Sequence, residues 1–118
     1  MSEAVSDVMS PTQPLSVGAV VDFPAGGRKL VFTPGGETIL VLHVDGVYYA
    51  LENSCPHAGA SMASGNCAGH VISCPAHGLR FDIRNGQCTA SPTMKIPLFE
   101  VTCTDGALWI TPSQKVLL

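Results

Sequence analysis

Two short clips of metal-binding side chains stand sixteen residues apart in this chain: Cys55-Pro56-His57 and Cys74-Pro75-Ala76-His77. Cys and His are the side chains that soft and borderline metals prefer. Two thiolates and two imidazoles suit either a single tetrahedral zinc or a 2Fe-2S cluster with two cysteines on one iron and two histidines on the other. Zinc-finger spacing usually puts both cysteines in one clip and both histidines in the other. Here each clip carries one of each, which suits a cluster whose two irons take different ligands.

The tract CPHAGASMASGNCAGHVISCPAHGLRFD resembles the Rieske motif, C-x-H followed by C-x-x-H, with Gly59 and Gly78 close behind the clips. The motif proper covers about a fifth of the chain, and the family's β-rich domain would cover nearly all of it. The resemblance implies one Rieske-type 2Fe-2S cluster, with Cys55 and Cys74 on the inner iron and His57 and His77 on the exposed one. It also implies a third, proline-containing loop over the cluster, where Pro92 falls. A second C-x-x-H, Cys67-Ala68-Gly69-His70, leaves only nine residues between the clips and lacks the flanking Pro and Gly. Those two residues are assigned to a hairpin as non-ligands.

Four protein ligands would fill both irons and leave no open position for substrate, so the chain is expected to carry one electron and to be no enzyme. Relatives of the respiratory type have an extra, disulfide-bonded cysteine in each loop. They also have a Ser after the Gly and a Tyr two residues beyond it, whose hydroxyls hydrogen-bond sulfurs of the cluster. The corresponding residues here are Ala60, Ala76, Leu79 and Phe81. A low reduction potential is therefore expected. The chain resembles the stand-alone Rieske ferredoxins of bacterial aromatic-ring-hydroxylating dioxygenase systems. That resemblance implies a flavin-containing, NAD(P)H-dependent reductase as electron donor and a terminal oxygenase as acceptor. Pro56, Ala58, Ala76 and Pro92 would form an apolar collar for brief docking. The runner-up is the small Rieske subunit of an assimilatory nitrite reductase, and a zinc-stabilised interaction module is a third reading.

Composition is compatible with all three. A chain of 118 residues can bury roughly two-thirds of its unfolded surface, enough for a core that does not depend on metal alone. Net charge is −3 with no basic run, which argues against nucleic acid or an anionic membrane as partner. No stretch approaches the ~20 apolar residues of a membrane span, and the N-terminus lacks a positive region followed by an apolar one. The expected address is the cytoplasm, where Cys67, Cys88 and Cys103 would be reduced and partly buried.

The elements that position the clips read as β throughout. Residues 1–14 form a flexible lead-in, 15–112 the domain with its cluster-binding part at about 54–93, and 113–118 a tail. Strands are expected over Leu15–Phe23, Arg28–Thr33, Thr38–Val44, Val47–Asn53, His70–Ser73, Leu79–Arg84, Ile96–Cys103 and Ala107–Thr111. Thr38–Val44 (TILVLHV) is apolar almost throughout and should be central. Asp45-Gly46, Asn85-Gly86 and Asp105-Gly106 are hairpin signals, because both positions of a type I′ turn need positive φ. Ala58–Ser64 suits a short helical turn, and Gly65–Gly69 reads as a turn. His43, Tyr48, Tyr49 and Trp109 are expected to be packing residues. Many short strands with turns every eight to twelve residues mean an all-β sandwich or small barrel. The resemblance sharpens this to an antiparallel Rieske-like β-sandwich with a small cluster-binding subdomain.

Overall fold

The computed structural model describes residues 14–33, 36–55, 61–75, 78–91 and 93–111. Its strands are β1 (Leu15–Ala19), β2 (Arg28–Phe32), β3 (Thr38–Val44), β4 (Val47–Glu52), β5 (Cys67–Ala68), β6 (Val71–Ser73), β7 (Arg80–Asp82), β8 (Leu98–Thr104) and β9 (Ala107–Thr111). They form a six-stranded sheet in the order β1-β9-β8-β4-β3-β2 and a three-stranded sheet in the order β5-β6-β7. Every pairing is antiparallel. The Lys29 ammonium on β2 donates to the Val17 carbonyl on β1, so the two edges of the large sheet meet and the sheet curls toward closure.

The run TILVLHV explains how the two sheets are joined. Side chains alternate across a strand, and on β3 both sets are buried. Ile39 and Val41 pack with Val17, Phe23, Phe99, Leu108 and Ile110 inside the curled sheet. Leu40 and Leu42 point the other way, into a core shared with Met62, Ile72, Phe81 and Ile96. Ala50 and Leu51 on β4, and Phe99 and Leu98 on β8, divide between the same two cores. A strand covered on two faces reads as a near-continuous apolar run, as Ile39–Leu42 do here. The small sheet is what covers the second face.

Two of the three expected type I′ turns form. Asp45 and Gly46 have φ of 52° and 79°, and Asp105 and Gly106 have φ of 52° and 77°. The third differs. Gly86 is left-handed at φ 78°, but Asn85 is not. The N–H groups of Asn85 and Gly86 both reach back to Asp82 O, at 3.3 and 2.7 Å, which makes a wider turn with an extra residue. The Asp82 carboxylate fixes it by accepting from Arg84 N (2.9 Å), Nε (3.0 Å) and Nη2 (2.8 Å). That guanidinium holds the Asp82 carboxyl below its usual pKa. The turn begins at Ile83, so β7 is shorter than the expected Leu79–Arg84.

Other boundaries also moved. The first strand stops at Ala19, and Val20–Asp22 coil into a 3₁₀ turn beyond a register shift between Ser16 and Gly18. The expected Gly65–Gly69 turn contains strand β5, because Cys67 and Ala68 pair with Ile72 and Val71. On β8 Phe99 is buried and Val101 half-buried, but Cys103 is exposed. This corrects the expectation that all three remaining cysteines are partly covered, since β8 runs past the edge of the core. The lead-in up to residue 13 and the tail from 112 onward lie outside the described residues.

Candidate metal centre

Cys55 and Cys74 arrive from different sheets into one core. Cys55 lies three residues beyond the end of β4 and Cys74 directly after β6. Each is only 1% exposed, and both pack with Met62, Phe81 and Cys88. His57 and His77 lie outside the described residues, as do Pro56, Ala58, Ala60, Ala76 and Pro92.

Both clips sit in loops closed at their bases. Ser54 bridges to Ser61, and the Met62 N–H donates to Asn53 O at 2.7 Å, so the residues on either side of 56–60 are joined. At the second, Cys74 N donates to Leu79 O at 2.6 Å and Gly78 N to Cys74 O at 2.8 Å. Gly78 takes φ 73°, a left-handed conformation that favours glycine. A third loop, 88–94, is closed by Cys88 N donating to Met94 O at 2.9 Å and is tied to β7 by a Phe81–Cys88 bridge.

The two cysteines suit an iron-sulfur group. They bring two soft donors into one apolar core from separately anchored loops. A buried thiolate is tolerated when it binds metal. Cys67 differs: it lies half-buried on β5, and burial pushes its thiol pKa up against the pull of the Arg28 guanidinium. His70 sits at the turn after β5, its ring edge-on to Tyr49 at 5.8 Å. Among the described residues no group of three or more His, Cys, Asp or Glu could hold a metal ion. His43 is a packing residue, with Nδ1 2.9 Å from Phe23 O and its ring stacked on Tyr48 at 4.2 Å.

Gly65 marks a close approach between the two halves of the motif. A Cβ there would lie 1.9 Å from the carbonyl oxygen of Ser73, the residue before Cys74. Gly65→Ala is expected to cost about 1–3 kcal/mol by overpacking, seen as a lowered Tm. An unchanged Tm would contradict this packing.

Sequence reading did not find Asn53 and Arg28, whose side chains bind the segment after the first clip. An Asn beside the motif was the available signal, since Asn side chains bind nearby backbone.

Residues 13–103 match the model of the Rieske [2Fe-2S] domain. The 3-phenylpropionate/cinnamic acid dioxygenase ferredoxin subunit of Photorhabdus laumondii is 33% identical, over 86% of this chain and 96% of that protein. A chain in the solved complex of reduced oxygenase and oxidized ferredoxin of carbazole 1,9a-dioxygenase is 32% identical with a TM-score of 0.82, covering 89% of this chain and 98% of that one. A protein assigned as the small subunit of an NADH-dependent nitrite reductase from Mycobacterium tuberculosis superposes with a TM-score of 0.73 at 20% identity, over 90% of this chain and 97% of that one. That last likeness shows the fold alone. No helix among the described residues is long and apolar enough to cross a membrane. Motif, fold and relatives agree: the chain belongs to the Rieske [2Fe-2S] domain family and takes one Rieske-type 2Fe-2S cluster.

Proposed function

We propose that Cys55 and Cys74 hold the inner iron and His57 and His77 the outer one, in a domain spanning residues 15–112. The chain then serves as a soluble, cytoplasmic, low-potential ferredoxin. It carries single electrons from an NAD(P)H-dependent flavin reductase to a terminal ring-hydroxylating oxygenase. The observation that carries this reading is the placement of Cys55 and Cys74, each 1% exposed, in one core at the bases of separately closed loops. When bound, the cluster takes up and releases one electron.

The chain's own residues supply the rest. Met62, Ile72 and Phe81, all fully buried, keep water from the sulfur side. Backbone pairing at Ser54–Ser61 and Cys74–Leu79 fixes the loops, so little has to move when charge changes. Leu79 and Phe81 carry no hydroxyl to stabilise added negative charge, which supports the low-potential end of the family range of about −150 to +300 mV. Pro56, Ala58, Ala76 and Pro92 would give an apolar rim for transient docking, which small interfaces permit.

Spectroelectrochemical titration of the purified protein tests this. One electron per chain is expected, with a midpoint near the low end of that range; a midpoint near its upper end would overturn the reading. Anaerobic NADH with a flavin-dependent ferredoxin reductase should bleach the protein. Gel filtration of the native protein should find it as a small species, whereas co-elution with a large flavoenzyme would favour the nitrite reductase subunit instead.

A further inference from the structure

The segment leaving the first clip is gripped from the large sheet by two side chains. Asn53, at the end of β4, is 7% exposed. Its Oδ1 accepts the Met62 N–H at 3.1 Å and the Ser61 hydroxyl at 3.3 Å, and its Nδ2 donates to Ser61 Oγ at 2.9 Å. Ser61 Oγ in turn accepts the Ala63 N–H at 3.2 Å. From the other side Arg28, the first residue of β2, donates through Nη1 to Ala63 O and Gly65 O, each at 2.7 Å. Between these grips the Met62 side chain is fully buried in the core that contains Cys55 and Cys74. Gly65 abuts the carbonyl of Ser73, immediately before Cys74.

We propose that Asn53 and Arg28 are positioning residues for the 2Fe-2S cluster. Together they lock the Ser61–Gly65 turn to the scaffold and so fix both cysteines. Asn53 holds the return of the loop that carries Cys55, two residues after it. Arg28 presses Gly65 against the residue that presents Cys74. The inference rests on the ligand assignment above. Arg28 makes charge-assisted bonds, and its Nη1 donates to both carbonyls from a point further along the side chain than a lysine ammonium reaches.

The test uses the holoprotein, with loss of visible absorbance to an iron chelator and EPR line widths after dithionite as readouts. Asn53→Ala is expected to release the cluster about 10–100-fold faster, the range for residues that support metal ligands, and to broaden the lines. Asn53→Asp keeps the oxygen acceptor for Met62 N–H and Ser61 but loses the Nδ2 donor to Ser61 Oγ, and should regain only part of the loss. Arg28→Lys, at an exposed position on an edge strand, should fold and move both readouts the same way by less. Wild-type release rates and line widths in Asn53→Ala and Arg28→Lys would overturn the proposal. If Asn53→Ala does not fold, Arg28→Lys decides it alone. Cys55→Ser, measured alongside, separates the two levels. A wild-type spectrum there overturns the ligand assignment beneath the clamp, whereas a lost or altered spectrum leaves the clamp to be judged on its own variants.

Discussion

Cys55→Ala or Cys74→Ala is expected to yield a colourless protein, with iron below about a tenth of the wild-type content and no EPR signal after reduction. On the proposed assignment each variant removes one of four ligands from a site where the donors must converge. Cys88, the third buried thiol of that core, is held by its backbone bond to Met94 at 2.9 Å and should not replace either proposed ligand. Cys67→Ala and Cys103→Ala should keep the full cluster, because Cys67 lies in the β5–β6 hairpin and Cys103 is exposed on β8. The β-rich circular dichroism of the ligand variants should persist. The core of Val17, Ile39, Val41, Leu108 and Ile110 contains neither cysteine and is stabilised by burial alone. Iron content and EPR of these four variants check the assignment; a full cluster in Cys55→Ala or Cys74→Ala would refute it.

The second large effect is on potential. Leu79 is half-buried, and its carbonyl accepts the Cys74 N–H at 2.6 Å. Phe81 is fully buried in the core with Cys55 and Cys74. Leu79→Ser with Phe81→Tyr would bring two hydroxyl donors toward the sulfurs. A donor stabilises the reduced, more negative form more than the oxidised one, so the potential should rise. Hydrogen bonds to charged groups are worth ~1.5–3 kcal/mol, which corresponds to roughly 60–130 mV for each bond in a one-electron couple. A tyrosine hydroxyl left without a partner in that core would instead destabilise the protein. An unchanged midpoint in a stably folded double variant would contradict the assignment of these positions.

Much of the fold was legible because local chemistry and tertiary structure agree. TILVLHV reads as a central strand, and it is one, since both faces of β3 are covered. Asp45-Gly46 and Asp105-Gly106 read as type I′ turns because the left-handed residue and the following glycine suffice to fix them. Asn85-Gly86 does not form the expected turn because Asp82 and Arg84, just before the dipeptide, bind each other and widen it, a local choice that the dipeptide alone does not encode. Cys67–Ala68 read as turn because a two-residue strand has no periodicity; only the β6 partner makes it one. At the site, clip spacing pointed to the donors, and the structure places Cys55 and Cys74 together. Arg28 is not legible, because it lies far from the motif in sequence and meets it only once the sheets pack, whereas Asn53 stands beside the motif and only its partners need the fold.

The most direct test of the central claim, a Rieske cluster in a one-electron carrier, is the visible and EPR spectrum of the purified protein before and after dithionite. The account predicts a brown-red protein whose reduced form gives one anisotropic Rieske-type signal per chain. A colourless protein that holds one tight zinc and stays EPR-silent after anaerobic reconstitution would contradict it.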